Sequence, residues 1–480
     1  MDTEDPIIDE IMLAIENGQN VVLNGSGGVG KTYLLRHIAR TLTKQGKCVY
    51  CCATTGVAAI NLSVPEALIA GKTLHSWAGV GLAQEIPSKL IAKVKYNEKA
   101  RNRWRNTHLL IIDEISMLGA EFFDKLDVIG REIRTTPGKP FGGLQLVLSG
   151  DFLQLPPVND KWVFESRAFK ELKYVPFILE KPKRYPDLNF FAFLLRVRKG
   201  QHNDEDIAFL ESRVVAYNEY KKKDASSKDL SIVKPTVLHS KKVDVEFENI
   251  QELEKLPGEA VNYYCIDTFD EYKKHARAED YYKSLDDAIP KLVILKCGAQ
   301  VMLKANLDVE AGLANGTRGV VLSMTKESVN VKWKNTTVTT ITPHSWVQED
   351  KEGKATRTQI PLVLAYAMTV HKAQGSTLDY AILNIGTSIF CPGQAYVALS
   401  RVRESNGLLI SEFYPKCITA NEAALEFSEM LVKLAQPEEP SNQNEEEINE
   451  IEVQPLKEET HVHFKDDNIV IRYILNYVEE

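Results

Sequence analysis

The sequence predicts an α/β protein in which parallel sheets are organised into two halves. Three apolar runs predict this class, at residues 21–23, 109–112 and 146–148, because each is followed by glycine or polar residues. Such sequences are typical of the carboxyl ends of buried parallel strands. The first run leads through a glycine-rich loop into a helical pattern that begins at Tyr33. A second series of strands and helices begins near residue 180 and includes a predicted strand at 236–238.

The glycine-rich loop, NGSGGVGKT at residues 24–32, has the spacing Gly25-x-x-x-x-Gly30-Lys31-Thr32 of a phosphate-binding loop. Glycines let backbone N–H groups approach an anion, and the N-terminus of the following helix favours negative charge. Lys31 is expected to neutralise the β- and γ-phosphates of ATP, and the Thr32 hydroxyl to coordinate Mg²⁺. The predicted nucleotide-binding residues here are Gly25, Ser26, Gly27, Gly28, Val29, Gly30, Lys31, Thr32 and Tyr33.

The same loop also contains the spacing Gly25-x-Gly27-x-x-Gly30 of dinucleotide-binding enzymes. Those enzymes place an acidic residue about 20 positions further on, at the end of the next strand. That strand, around residues 48–53, ends in Ala53 and carries no acid. Because Lys31 would also remain unexplained, the sequence excludes a dehydrogenase.

The chain has 480 residues, of which 44% are hydrophobic and 26% are charged, and this composition is that of an ordinary globular protein. No apolar run approaches the ~18 residues of a membrane span. The acidic start MDTEDPIIDE does not resemble a signal or transit peptide. The seven cysteines show no paired metal spacing and are expected to be reduced thiols. We therefore expect an intracellular protein, nuclear or cytoplasmic, that is neither secreted nor bound to a membrane.

The net charge of −8 is unevenly distributed. Residues 436–480 hold 13 acids and 3 bases, a net charge of −10, which leaves +2 on the remaining chain. The body of the protein is therefore mildly basic, as a nucleic-acid partner requires. The tail has the composition of a disordered segment over most of its length. Its apolar end at residues 468–478 is expected to bind a partner or to fold back on the body.

Three stretches of the first half allow both a nucleic-acid contact and a structural role. Residues 54–59, TTGVAA, are suited either to a backbone-phosphate contact or to a helix cap. In TLHSW, residues 73–77, the aromatic ring can stack on a base or belong to the core. Residues 82–106 are basic, with Trp104 and Tyr96 among the lysines and arginines. They form either a solvated helical face or a DNA-contacting insertion.

Polar side chains that follow the second and third predicted strands complete a hydrolytic site. Asp113 is expected to hold Mg²⁺ through water, and Glu114 to orient or deprotonate the attacking water. Gln154 lies on a proline-bounded loop after the third strand, where it can sense the γ-phosphate. Because carboxyl ends of parallel strands share one edge of a sheet, these groups are expected to form one site.

The second half contains a strand- and turn-rich region at residues 291–340 that, with residues to about 360, suggests a small antiparallel barrel. A predicted strand at 362–368 is followed by a polar loop. A predicted helix at 394–403 ends in arginines. Arg401 is either an arginine finger for the γ-phosphate or a charge that complements the helix dipole.

In chain order these motifs resemble the petite integration frequency (PIF) family of superfamily 1B helicases, which are 5′-to-3′ DNA helicases related to the RecD subunit. The resemblance covers residues of about 10–412. The matching segments are GSGGVGKT (25–32), ATTGVAA (53–59), TLHSWAGVGL (73–82), IIDEISML (111–118), FDKLDVIGREIR (123–134), PFGGLQLVLSGDFLQLPPV (140–158), LEKPKRYPDLNFFAFLLRVRKG (179–200), KLPG (255–258), GAQVML (298–303), NGTRGVV (315–321), LAYAMTVHKAQGSTLD (364–379) and GQAYVALSRV (393–402).

The resemblance implies two RecA-like P-loop NTPase domains, at residues 1–178 and 179–412, that clamp ATP and Mg²⁺ between them. It also implies a helical, basic, strand-separating insertion at about 78–106 and a small β-barrel at about 305–360. A C-terminal helix at 413–435 and the acidic tail lie beyond this core.

The site residues follow from the matching motifs. The implied catalytic residues are Lys31, Asp113, Glu114, Gln154, Arg184 and Arg401. The implied DNA contacts are Thr55, His75, Trp77, His371 and Lys372. Gly375 is implied as a further nucleotide contact, and Thr32 and Asp113 as the residues that hold the metal.

The implied function is an ATP-dependent 5′-to-3′ helicase acting on single-stranded and forked DNA, in replication, repair, recombination or telomere maintenance. An alternative is a DNA-stimulated translocase that displaces proteins without unwinding. A pure ATP-dependent scaffold has no need of Glu114, Arg184 and Arg401. We expect a monomer, with the acidic tail as a site for a protein partner or a competitor of DNA.

One departure from the family concerns the segment before the phosphate loop. Relatives carry a glutamine there that contacts adenine, whereas IIDEIMLAI at residues 7–15 contains none. The resemblance therefore does not predict whether the site selects adenine.

Overall fold

The structure is a computed structural model. It describes residues 6–64, 67, 69, 71–226, 234–272, 278, 282, 285–286, 289–305, 307–308, 311, 313, 317–333, 337–349, 353–375, 378 and 380–436. The predicted acidic tail and its apolar end lie outside these residues, apart from Gln436. Parts of the predicted barrel and of the loop at 369–377 lie outside them as well. Among the described residues, no helix is both long and apolar enough to cross a membrane.

The first half is built around one sheet. Its elements are α1 (Pro6–Glu16), β1 (Asn20–Gly25), α2 (Lys31–Lys44), β2 (Val49–Ala53), α3 (Gly56–Asn61), β3 (Lys72–Thr73), α4 (Leu74–Ala78), α5 (Pro87–Tyr96), α6 (Glu98–Asn106), β4 (Leu109–Asp113), α7 (Ala120–Ile133), β5 (Gln145–Gly150), α8 (Arg167–Glu171) and β6 (Tyr174–Leu179).

All neighbouring strands of this sheet run parallel, in the order β3-β2-β4-β5-β1-β6. Every residue of β4 is buried, as the unbroken apolar run predicts for a strand covered by helices on both faces. The parallel register brings the carboxyl ends of β1, β4 and β5 to one edge. The predicted α/β class and this edge are therefore confirmed.

The second half contains a parallel sheet and an antiparallel region. Its elements are α9 (Leu188–Arg198), α10 (Asp204–Ser226), β7 (Thr236–His239), α11 (Lys242–Glu254), β8 (Val261–Tyr264), β9 (Ile266–Glu271), β10 (Leu292–Leu295), β11 (Gln300–Leu303), β12 (Arg318–Met324), β13 (Val329–Trp333), β14 (Val338–Ile341), β15 (His344–Glu349), β16 (Gly353–Gln359), β17 (Leu362–Leu364), β18 (Ala367–Thr369), α12 (Val370–Ala373), β19 (Ala381–Ile385), α13 (Gln394–Leu399), β20 (Leu408–Phe413) and α14 (Glu422–Ala435).

The parallel sheet has the order β18-β7-β19-β20. The antiparallel strands form sheets of five (β14-β13-β12-β11-β17), three (β15-β16-β9) and two (β8-β10) strands. They extend from Val261 to Leu364, a wider span than the predicted 305–360. This region has a hydrophobic core of its own that includes Trp333 and Leu303.

The predicted single strand at 362–368 is divided in two. β17 pairs with β11 in the antiparallel sheet, whereas β18 pairs with β7 in the parallel sheet. The chain therefore passes between the two sheets at Ala365 and Tyr366, both of which are buried. A continuous apolar run in the sequence does not show that the chain passes from one sheet to another, because both strands are covered by neighbouring structure.

The basic insertion forms the two helices α5 and α6. Pro87 occupies the first turn of α5, and the Asn97 side chain accepts a hydrogen bond from Ala100 N–H at the start of α6. Trp104 is fully buried and donates its indole N–H to Ala78 O at 3.0 Å. Arg103 donates to Trp77 O at 2.9 Å, so part of the positive charge of this segment is used inside the fold.

The C-terminal helix α14 packs on the first half although it follows the second half in the chain. Its Phe427 ring stacks on Phe164, with centroids 4.2 Å apart and an interplanar angle of 12°. Edge-to-face contacts join the same ring to Phe152 and Phe169. This aromatic cluster ties the end of the described chain to the first sheet.

We expect Phe427→Ala to lower the free energy of unfolding by about 3 kcal/mol, because it removes a ring from this cluster and leaves a cavity. Met430→Ala, on the same helix, is the control, since Met430 is 39% exposed. Urea denaturation followed by fluorescence and circular dichroism measures both variants. Equal stability of the two variants would contradict the anchoring role of Phe427.

Candidate nucleotide site and nucleic-acid surface

The phosphate loop joins β1 to α2 and is held by a segment of the second half. The N–H groups of Lys183 and Arg184 both donate to Gly28 O at 2.9 Å. Gly28 has φ 86°, and a Cβ there would lie 2.6 Å from Tyr185 Cε2. Only glycine fits this contact. Gly30, with φ 97°, turns the loop into the first residue of α2.

Lys31 lies across the loop. Its Nζ donates to Gly25 O at 2.6 Å and to Ser26 O at 2.9 Å. Burial lowers the pKa of Lys31, and the nearby carboxylates, above all that of Asp151, oppose this effect. An ammonium placed here can transfer its hydrogen bonds to phosphate oxygens.

Asp113 and Thr32 form the predicted metal site. Thr32 Oγ1 donates to Asp113 Oδ2 at 3.2 Å, and Ser149 Oγ donates to Oδ1 at 2.9 Å. Burial, with the adjacent charge of Glu114 as the second cause, raises the pKa of Asp113 to about 6.

The residues present fit Mg²⁺, because a hydroxyl and a carboxylate oxygen converge at one point and a dication would stabilise the ionised carboxylate. Among the described residues, no group of three or more His, Cys, Asp or Glu side chains is placed to hold a metal ion. Phosphate oxygens and water would therefore have to complete the coordination.

Glu114 occupies a strained position at the same edge. Its φ of 56° places a non-glycine residue in the left-handed region, which costs about 1 to 3 kcal/mol and is common at functional sites. Thr54 Oγ1 donates to its backbone oxygen at 3.1 Å. Gln374 Nε2, from the second half, donates to its carboxylate Oε2 at 3.0 Å. The Glu114 side chain is thus oriented by both halves.

Arg184 and Arg401 reach the loop from the second half. Arg401 is buried, donates from Nε to Val397 O at 2.8 Å and from Nη2 to Ser400 Oγ at 2.7 Å. Arg184 Nη1 donates to Ser400 O at 3.3 Å. Burial, and then the charge of Arg184, lowers the pKa of Arg401. Two close guanidinium groups of this kind are suited to a polyanion.

A cavity of about 350 Å³ unites these groups. It is lined by all six predicted catalytic residues, Lys31, Asp113, Glu114, Gln154, Arg184 and Arg401, and by the predicted nucleotide contacts Gly27, Gly28, Gly30, Thr32, Tyr33 and Gly375. Of the remaining predicted contacts, Gly25 and Ser26 serve Lys31 with their carbonyl oxygens. Val29 is buried in the core of the second half.

Lys183 and Arg403 also line the cavity, although neither was predicted from the sequence. Lys183 is adjacent to Arg184, and Arg403 lies two residues after Arg401, so their proximity to predicted site residues could have predicted them.

A buried network beside the cavity was not predicted either. Tyr396 Oη accepts from Gly27 N–H at 2.9 Å and donates to Asp151 Oδ2 at 3.0 Å. Arg198 donates to both oxygens of Asp151 at 2.8 to 3.1 Å. Although burial alone raises the pKa of Asp151, the Arg198 charge lowers it overall. Gln154 Nε2 lies 3.4 Å from Asp151 Oδ2, so the network fixes the predicted γ-phosphate sensor.

Of the predicted DNA contacts in the first half, Trp77 requires a correction. Its side chain is fully buried and packs against Trp104, with ring centroids 4.5 Å apart. A ring without exposed surface cannot stack on a base, so the core alternative applies to Trp77. The indole instead supports the short helix α4 that carries His75.

His75 and Thr55 remain partly accessible. The His75 ring stacks on Phe122, with centroids 4.1 Å apart, and burial lowers the pKa of His75. A neutral imidazole therefore faces the surface at physiological pH. Thr55 Oγ1 accepts from Ala58 N–H at 3.3 Å, which is the helix-cap alternative.

In the second half, His371 and Lys372 lie on α12. The His371 ring lies nearly parallel to that of Phe390, at 6.3 Å and 13°, and Phe390 is 60% exposed. Burial, and then the charge of Lys372, lowers the pKa of Lys304. Exposed aromatic surface next to lysines is typical of single-strand binding. Phe390 and Lys304 were not predicted, because neither lies within the segment at residues 364–379 that supplied His371 and Lys372.

Comparison with known proteins gives consistent matches. Residues 2–206 match the family model described as PIF1-like helicase, and residues 286–324 match that of the DNA helicase Pif1 2B domain. The ATP-dependent DNA helicase PIF1 of Xenopus laevis is 36% identical over 432 residues, which are 88% of this chain and 64% of the relative. The chain thus spans slightly less than two thirds of the length of this curated relative.

Solved structures agree in fold. The crystal structure of Pif1 helicase from Candida albicans has a TM-score of 0.76 and 32% identity, and covers 90% of this chain and 100% of that one. The crystal structure of Pif1 helicase from Bacteroides in complex with ADP-AlF3 and ssDNA has a TM-score of 0.66 and 28% identity, and covers 90% and 98%.

Proposed function

Because the chain belongs to the PIF1-like helicase family, we propose that it is an ATP-dependent DNA helicase that moves 5′ to 3′ on single-stranded DNA and unwinds duplex or structured DNA. The observation that carries this proposal is the cavity shared by the two halves. Lys31 and Glu114 line it from the first half, and Arg184 and Arg401 from the second. A site divided in this way makes hydrolysis depend on the relative position of the halves.

In the proposed reaction, the backbone N–H groups of the loop and Lys31 bind the phosphates. Glu114 accepts a proton from the attacking water while the water oxygen forms a bond to the γ-phosphorus. The bond between the γ-phosphorus and the bridging oxygen breaks, ADP leaves with that oxygen, and Arg184 and Arg401 stabilise the charge that develops. Thr32 and Asp113 would hold Mg²⁺, which when bound neutralises charge on the β- and γ-phosphates.

Movement would follow from the same contacts. The hydrogen bonds from the 183–184 segment to Gly28 lie at the loop that would bind the phosphates. Closure with ATP and opening after hydrolysis would change the distance between the first-half contacts, Thr55 and His75, and the second-half contacts, His371 and Lys372. Alternating grip on one strand then gives directional translocation.

We propose that the helices α5 and α6 meet the duplex at a fork. Ile86 is 61% exposed and Tyr96 80% exposed on this insertion. Exposed apolar and aromatic side chains can stack on the terminal base pair and separate its strands. Lys89 and Lys99, which are also exposed, would attract the phosphates.

We further propose that the protein is intracellular and works as a monomer, in replication, repair, recombination or telomere maintenance. The acidic tail would serve as the contact for a protein partner. The pathways follow from the family, whereas the contact through the tail rests on the acidic composition of residues 436–480.

The test is unwinding of one duplex that carries either a 5′ or a 3′ single-stranded overhang, with ATP and Mg²⁺. We expect unwinding from the 5′ overhang alone, and its loss in Lys31→Ala, because the loop then lacks the cation that binds the phosphates. DNA-stimulated hydrolysis without unwinding from either end would instead indicate a translocase. Unwinding from the 3′ overhang would contradict the polarity.

A further inference from the structure

Gln374 connects the DNA side of the second half with the hydrolytic side of the first half. Its side chain is 1% exposed. Its Nε2 donates to Glu114 Oε2 at 3.0 Å and lies 3.4 Å from Ser116 Oγ. Gln374 therefore touches the proposed general base across the boundary between the halves.

The same short element carries proposed DNA contacts. His371 and Lys372 lie on the single-turn helix α12, and Gln374 follows its last residue. Thr369 Oγ1 accepts from Lys372 N–H at 3.2 Å, and Gln374 N–H donates to His371 O at 3.3 Å. Because these hydrogen bonds hold the turn together, a displacement of His371 or Lys372 also displaces Gln374.

The backbone of Glu114, whose carboxylate receives this contact, is held in place. Glu114 lies in the left-handed region at φ 56°, and its backbone oxygen is held by Thr54. Gln374 Nε2 contacts Glu114 Oε2, and a Cβ added at the next residue, Gly375, would lie 3.4 Å from Oε1, so the turn after α12 lies beside this carboxylate. The orientation of Glu114 therefore depends on where α12 is placed.

The other end of the Gln374 amide supports a functional role. Its Oε1 is buried and has no hydrogen-bond partner among the atoms that the structure describes. An apolar side chain would pack here without that defect, since buried polar atoms are nearly always paired. A glutamine that leaves one atom unpaired is best explained by what its other atom does at Glu114.

We propose that Gln374 is a positioning residue that makes ATP hydrolysis depend on DNA, by transmitting strand binding at His371 and Lys372 to the Glu114 carboxylate. This inference rests on the proposed helicase function and adds the element that regulates it. DNA at α12 shifts the turn, the turn shifts the amide, and the amide reorients Glu114 toward the attacking water.

The experiment measures ATP hydrolysis by the full chain with and without saturating single-stranded oligonucleotide. In Gln374→Ala we expect the stimulation by DNA to fall at least about tenfold, because the two rates converge when the link is absent. The Kd for a fluorescent oligonucleotide and the KM for ATP should stay within about twofold, since neither ligand touches this amide. Stimulation equal to that of the wild type would overturn the proposal, as would a loss explained by weaker DNA binding.

A second variant gives a readout that a purely structural role would not change. Gln374→Glu keeps the size of the side chain, but a carboxylate has no N–H to donate to Glu114 Oε2, so the contact is lost. We expect the stimulation of kcat by DNA to fall as in Gln374→Ala, while the KM for ATP stays within about twofold. Full stimulation in Gln374→Glu would count against the contact.

Asn61→Ala is the matched control. It also removes a hydrogen bond between the halves, from Asn61 Nδ2 to Gly375 O at 3.2 Å, but leaves the Glu114 carboxylate untouched. Stimulation should be retained there, and its loss would assign the effect to the interface in general. Wild-type protein without hydrolysis would refute the proposed function, whereas a stimulated wild type with stimulated Gln374→Ala would refute this inference alone.

Discussion

Glu114→Gln is expected to lower kcat for ATP hydrolysis by about 10²- to 10⁴-fold while ATP binding is retained. An amide cannot accept the proton of the attacking water. The substitution keeps the size of the side chain and an oxygen that can still accept from Gln374 Nε2, which lies 3.0 Å from Glu114 Oε2. Steady-state hydrolysis gives kcat, and calorimetric titration with a non-hydrolysable ATP analogue gives the affinity.

The matched comparison is Asp113→Asn at the neighbouring position. Thr32 Oγ1 and Ser149 Oγ both donate to the Asp113 carboxylate, and we propose that this residue holds the metal rather than the attacking water. Its variant should lose the Mg²⁺ dependence of nucleotide affinity, which Glu114→Gln should keep. If Glu114→Gln retained kcat within about tenfold of the wild type, another group would have to accept the proton.

The two carboxylates could be predicted because their signal is local. Four apolar residues followed by Asp113 and Glu114 indicate a buried strand and its polar end within six positions. The phosphate loop is equally local, since its glycines, lysine and threonine stand at fixed spacing around one turn. Parallel pairing then brings the ends of β1, β4 and β5 together without any further information.

The network around Asp151 could not be predicted in this way. Asp151 is 47 residues from Arg198 and 245 residues from Tyr396, its hydrogen-bond partners. An aspartate after a strand is usual in a turn, and a tyrosine in an apolar helix is usual in a core. Their relation exists only once the two halves are placed against each other.

For Trp77, in contrast, a local pattern predicted a DNA contact that the burial of the side chain rules out. A tryptophan beside His75 and Ser76 has the composition of a base-stacking site. The indole instead belongs to the core, because α4 packs on α6 and Trp104 covers the Trp77 ring. Whether an aromatic side chain such as that of Trp77 is exposed depends on the element that packs over it. The sequence gives no distance between α4 and α6.

Arg401→Ala is expected to lower kcat by about 10³- to 10⁵-fold, with a smaller change in the KM for ATP. The Arg401 guanidinium donates hydrogen bonds to Val397 O and Ser400 Oγ at the end of its own helix. It also approaches the phosphate loop, because a Cβ added at Gly27 would lie 3.6 Å from Arg401 Nη2. Because it belongs to the second half, we expect its contact with phosphate to strengthen as the halves close. It would then stabilise the transition state more than bound ATP.

Arg401→Lys separates charge from geometry. A lysine keeps the positive charge but lacks the planar fork that binds two oxygens at once, so we expect most of the loss in kcat to remain. Arg403→Ala is the matched control, since Arg403 lines the same cavity but is exposed. Its kcat should stay within about tenfold of the wild type. If Arg401→Ala changed stability by tenths of a kcal/mol and left kcat intact, Arg401 would only complement the dipole of α13.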